Sequence, residues 1–126
     1  MVIADYFKSV EQILNNSRLI IDKSIEFIEF SSDEGMIKGR LLFMGGYLLD
    51  FMEYISIGKE RLKYRFNLSD NNSNLIFRYD NAPHHKDILS FPHHKHTGTK
   101  VEPSTEIGIA QVISEIEIIV LNESKS

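Results

Sequence analysis

Arg61-Leu62-Lys63-Tyr64-Arg65-Phe66-Asn67-Leu68 is followed by Ser69-Asp70-Asn71-Asn72-Ser73 and then by Asn74-Leu75-Ile76-Phe77-Arg78-Tyr79-Asp80. In an extended chain the first segment places Arg61, Lys63 and Arg65 on one face and Leu62, Tyr64, Phe66 and Leu68 on the other. The last segment places Leu75, Phe77 and Tyr79 opposite Ile76 and Arg78. Between them lies a cluster of turn formers, too short for a crossover, so the two segments pair as antiparallel neighbours.

The same logic extends towards the N-terminus. Lys23–Ser31 ends at Asp33-Glu34-Gly35, Met36–Met44 ends at Gly45-Gly46, and Tyr47–Ile57 ends at Gly58-Lys59. Gly45-Gly46 is a two-residue hairpin signal. Ahead of these strands, Ile3, Tyr6, Phe7, Val10, Ile13 and Leu14 recur at helical spacing, which predicts a helix over 3–16 that ends at Asn15-Asn16-Ser17. Beyond Asp80, the region from Pro83 to Pro103 is expected to be irregular, because Pro83 and Pro92 cannot donate to a sheet ladder and Gly98 gives a bend. After Pro103, Ser104 or Thr105 can cap a second helix, with Ile109, Val112, Ile113, Ile116 and Val120 on its apolar face. The expected fold class is α+β: a five-stranded antiparallel meander with an N-terminal and a C-terminal helix packed on one face. Residues 1–121 are expected to form one domain and 122–126 a frayed tail.

Composition narrows the class. An apolar share of 42% with 25% charged residues fits a globular chain and argues against bulk disorder. No apolar run approaches the roughly 18 residues that cross a bilayer, and Met1-Val2-Ile3-Ala4-Asp5 lacks the basic start of a signal peptide. A cytoplasmic protein with no membrane partner is the expectation. There is no cysteine, so disulfides and thiolate zinc sites are excluded. The net charge of −4 is unevenly placed: Lys59–Lys100 carries eight basic residues against four acids, and the rest of the chain six against fourteen. That asymmetry is what an anion-binding face on an acidic protein produces, and equally what an ordinary solvated surface produces.

All five histidines, His84, His85, His93, His94 and His96, lie within thirteen residues, beside Arg78, Asp80, Lys86, Asp87 and Lys95. Imidazole is the side chain that exchanges protons near neutrality. Cleaving RNA without a metal needs a base for the 2′-hydroxyl, an acid for the leaving oxygen and cations for the developing charge. His85, His94 and His96, with Arg78 and Lys95, are the candidate catalytic set. Arg61, Lys63, Arg65, Tyr64 and Lys86 are the candidate nucleic-acid contacts, the tyrosine by stacking. Two other readings stand beside this one. His94 and His96, with His84 or His85 and Asp80 or Asp87, have the donor chemistry of a metal site but match no zinc spacing. Alternatively, the two Pro-His-His repeats are turn chemistry or a docking loop. No cofactor and no metal ligand is assigned. Asp80 is expected to order a histidine or to cap the turn at Asn81 and not to act as a nucleophile.

Through Arg78-Tyr79-Asp80-Asn81-Ala82-Pro83-His84-His85 and Phe91-Pro92-His93-His94-Lys95-His96, the chain resembles the TumE family of toxins. The likeness extends over the N-terminal helix, Gly39-Arg40-Leu41, Leu62-Lys63-Tyr64-Arg65 and the acidic C-terminal helix, with the Ile-rich C-terminal segment matching least. The resemblance implies a small cytoplasmic toxin of a toxin–antitoxin pair, neutralised by a cognate antitoxin of helix-turn-helix type. Oligomerisation is compatible with it. RNA cleavage is inferred from the residues and not from the family, so the chain is a candidate ribonuclease, with a non-enzymatic binding or metal-binding module as the alternative.

Overall fold

The structure, a computed structural model, describes residues 2–59, 63–82 and 92–123. It begins with helix α1 (Ile3–Asn16), whose first turn is tied down by the Val2 amide donating to Asp5 Oδ2 at 3.0 Å. Strands β1 (Ile20–Glu29), β2 (Glu34–Phe43), β3 (Leu48–Ser56), β4 (Lys63–Ser69), β5 (Leu75–Asp80), β6 (His94–Thr97) and β7 (Lys100–Pro103) follow, and helix α2 (Ile109–Glu123) completes the order. The strands form one antiparallel sheet in sequence order.

The connections follow from local chemistry. Gly45 and Gly46 both have positive φ, 87° and 83°, the backbone that a tight hairpin between β2 and β3 requires. Between β4 and β5, the Asp70 carboxylate accepts from the Asn72 and Asn74 amides, both at 2.9 Å. Those bonds hold its pKa below the ordinary 3.8, the Asn74 amide contributing most.

Alternation then sorts the side chains. Ile37, Leu41, Phe43, Leu49, Phe51, Ile55, Tyr64, Phe66, Leu68, Phe77 and Tyr79 are buried on one face. Ile3, Val10 and Leu14 of α1 and Ile109, Val112, Ile113, Ile116 and Val120 of α2 belong to the same core. Both helices therefore cover one face, as the sequence predicts. Polar contacts fix their places: Tyr6 of α1 donates to Glu53 of β3 at 3.0 Å, and Tyr79 of β5 donates to Glu115 of α2 at 2.5 Å. Gly39 of β2 is a packing glycine, since a Cβ there would lie 2.5 Å from Ile25 Cδ1 and 2.7 Å from a Phe51 ring carbon.

The strand count departs from expectation. Among the described residues the sheet has seven strands, because His94–Thr97 and Lys100–Pro103, within the stretch expected to be irregular, form a hairpin that extends it beyond β5. The turn at Gly98 (φ 59°) joins them. These strands are short and polar, so they carry little of the apolar alternation by which strands are recognised. Pro103 ends an edge strand, where a missing donor costs no ladder bond. Helix α2 continues to Glu123, so Asn122 and Glu123 of the expected tail are helical.

Candidate active site

The face opposite α1 and α2 is where His94, His96 and the basic strands meet. Register determines which residues meet there. Asp80 pairs with His94 across β5 and β6, and Arg65 with Asp80 across β4 and β5. One step along, Arg78 pairs with His96 on one side and with Asn67 on the other. Because paired residues in an antiparallel ladder share a face, Arg65, Arg78, Asp80, His94 and His96 all project to the side that, among the described residues, carries no helix.

Asp80 is the centre of the cluster. Its Oδ1 lies 2.7 Å from His94 Nε2 and its Oδ2 3.6 Å from His96 Nε2. Its Oδ1 also accepts from the Ala82 amide at 3.0 Å, so Asp80 orders histidines and closes the turn after β5. The His94–Asp80 contact has ion-pair distance, although its geometry is not that of a linear hydrogen bond. His94 is 2% exposed, and its Nδ1 lies 3.0 Å from the Pro92 carbonyl oxygen. A carbonyl only accepts, so Nδ1 carries a proton, and Nε2 then faces the carboxylate. His94 is thereby engaged at both nitrogens and positions Asp80. His96 is the more open ring, with its side chain 20% exposed, and it packs edge-on against His94 with centroids 4.8 Å apart. Asp80, His94 and His96 offer ligand atoms within 4.8 Å of one another, so the trio has the donor chemistry of a divalent-metal site. At 2.7 Å, however, His94 Nε2 is committed directly to Asp80.

A cation supply adjoins the cluster. Arg78 donates from Nε to Asn67 Oδ1 at 3.0 Å, which directs its guanidinium along the sheet. Arg65 and Arg78, with Asp50 and Asn67, line a cleft of about 270 Å³. A larger groove of about 660 Å³ runs across the sheet and includes Lys63, Arg65, Arg78 and Asp80. Paired guanidiniums suit a phosphodiester, which they can bind with two parallel hydrogen bonds each.

Not every expected residue belongs to this face. Lys95 lies between His94 and His96 in sequence, so alternation sends it to the helix side. There it donates to Glu115 at 3.0 Å and sits 4.8 Å above the Tyr79 ring. Its pKa is raised: burial opposes the charge, but the hydrogen bonds with Tyr79 and Glu115 outweigh burial. The structure therefore does not bring Lys95 together with the two histidines. Tyr64 is 1% exposed within the core, with its hydroxyl 2.7 Å from His93 Nδ1, so its ring is not presented for stacking on a base. Lys63 and Arg65 are exposed on the face opposite α1 and α2 as expected. His85, Arg61 and Lys86 lie outside the described residues. Ser24, Glu26, Lys38, Arg40, Asp50 and Met52 also line the groove, and the sequence reading did not place them in the site. The signal for Lys38 and Arg40 is their alternation with the buried Ile37, Gly39 and Leu41.

A family model described as Toxin TumE matches residues 10–122. The chain belongs to the TumE toxin family. That match takes in the whole sheet, the Asp80–His94–His96 cluster and nearly all of α2. No curated protein and no solved structure matches the chain. Membership of the TumE family makes the protein a toxin and implies an antitoxin as its partner. Among the described residues no helix is long and apolar enough to cross a membrane.

Proposed function

We infer that this TumE-family toxin acts on RNA in the cytoplasm and cleaves it without a metal, and that its antitoxin is of helix-turn-helix type. The observation that carries the RNA reading is Asp80 holding two imidazoles on the face opposite α1 and α2, beside Arg78 and the basic groove. His96 is the proton-transferring group facing substrate, and Asp80 orients it. His94 acts through Asp80 as a positioning residue. In the reaction the 2′-oxygen attacks the neighbouring phosphorus and His96 takes its proton. The phosphorus–O5′ bond breaks, and a second acid protonates the departing oxygen. On sequence grounds that acid is His85. Arg78 and Arg65 stabilise the charge that builds on the phosphoryl oxygens. Lys95 has no part in this scheme.

The test is incubation of the purified protein with RNA, with and without a chelator. Cleavage that survives the chelator and falls roughly 100-fold or more in His96→Gln supports the reading. Cleavage abolished by the chelator would assign Asp80, His94 and His96 to a metal instead. Tight RNA binding with no cleavage by any preparation would make the protein a binding module.

A further inference from the structure

The register of the sheet aligns two transverse rows of side chains that lead to the histidines. One runs Lys38, Met52, Arg65, Asp80, His94 across β2 to β6. The other runs Arg40, Asp50, Asn67, Arg78, His96 across the same strands. Lys38, Met52, Arg65, Arg40, Asp50 and Arg78 all line the larger groove. Lys38 and Arg40 are exposed, and Glu26 of β1 faces Lys38 and lines the same groove. Asp50 stands between two guanidiniums, 3.8 Å from Arg40 Nε and 4.0 Å from an Arg65 terminal nitrogen. Such exposed pairs are weak and readily exchanged for a stronger anion.

We propose that these two rows are a track for a single strand of RNA, and that Lys38 and Arg40 bind phosphates remote from the one that is cleaved. The proposal rests on the RNA reading above and adds the substrate's form and the residues that hold it away from the reacting bond. At ~4.8 Å between strands, β6 to β2 spans ~19 Å, beyond the reach of one nucleotide. The chemistry of the rows is mixed in the way a single strand needs. Cations alternate with Met52, which offers an apolar seat, and with Asp50 and Asn67, which can pair with base edges. A duplex hides those edges, whereas sequence-reading RNA proteins take unstacked single strands.

The probe is a fluorescein-labelled 12-nucleotide RNA with 2′-O-methyl riboses, which binds without being cut, titrated by anisotropy at several salt concentrations. Each phosphate neutralised on a single strand contributes ~0.7 to the slope of log affinity against log salt. Lys38→Ala/Arg40→Ala is expected to lower that slope by about 1.4. Lys8→Ala/Lys23→Ala removes two charges from α1 and from the helix-side face of β1, and is expected to leave the slope unchanged. The 12-mer should bind more tightly than its duplex and more tightly than a dinucleotide, and the advantage over the dinucleotide should shrink in Lys38→Ala/Arg40→Ala. If wild type cleaves RNA but Lys38→Ala/Arg40→Ala keeps the full slope, the track is overturned and the RNA reading stands. Equal losses in both double variants, or a duplex bound as tightly as the single strand, also overturn it. Loss of antitoxin neutralisation with RNA binding intact would make the rows a protein interface and overturn it. Wild-type protein that neither binds nor cuts RNA would overturn both.

Discussion

Replacing His94 by Ala isolates the buried pair on which the site rests. His94 is 2% exposed and Asp80 7%, with 2.7 Å between Nε2 and Oδ1. Removing one member of a buried ion pair typically costs ~3–5 kcal/mol, because the remaining charge is left in a poor solvent. Asp80 would keep the Ala82 amide at 3.0 Å and the His96 ring at 3.6 Å, which places the expected loss at the lower end, ~3 kcal/mol. With a urea slope of ~2 kcal/mol per molar, the unfolding midpoint should fall by ~1.5 M. Urea titration followed by circular dichroism measures it. The companion Asp80→Ala should cost less, ~1–3 kcal/mol, because it leaves only an unsatisfied ring nitrogen. A midpoint for His94→Ala within ~0.25 M of wild type, at that same urea slope, would refute the reasoning, since the pair would then contribute nothing to the fold.

Further outcomes follow from the same geometry. His96→Gln should leave the melting temperature nearly unchanged while lowering the cleavage rate per folded molecule roughly 100-fold or more, and wild-type activity should trace a bell in pH centred near neutrality. A flat profile from about pH 5 to 9 would remove imidazole from the chemistry. Lys95→Met should keep its rate and lose ~1–2 kcal/mol of stability, discounted for the part-exposed Glu115 contact, as read by chemical denaturation. A rate loss of two orders of magnitude would instead return Lys95 to the catalytic set. Expression of the toxin without its antitoxin should slow growth, and Arg78→Ala should relieve this while the purified variant stays folded; undiminished toxicity excludes Arg78. The pKa of Asp70 is depressed by its turn hydrogen bonds, so its stabilisation is full above the ordinary 3.8 and is lost as pH falls through the lower folded value. Asp70→Ala should therefore flatten the acid limb of a melting-temperature profile, and an unaltered limb would show that the turn contributes nothing there.

The sequence determined the features that depend on neighbours along the chain. Helix 3–16, the first five strands and the hairpins at Gly45-Gly46 and Ser69–Ser73 are each written in a period or a turn signal. So is the common face of Lys63 and Arg65, because side chains alternate along every strand. The histidine cluster and the part played by Asp80 were also legible, since both lie in one short segment. Tertiary structure alone decided the rest. His94–Thr97 becomes a strand because β5 offers it an edge to pair with, and Lys100–Pro103 because β6 then offers the next edge, not because their own residues favour it. That pairing turns Lys95 away from the two histidines beside it in sequence. Register across β2 to β6 also sets Lys38 and Arg40 in line with Arg65, Arg78, His94 and His96, although these lie roughly 25 to 60 residues away in the chain. Alternation is local, but register is the sum of every turn and pairing across the sheet, and a one-residue slip moves each side chain to the other face.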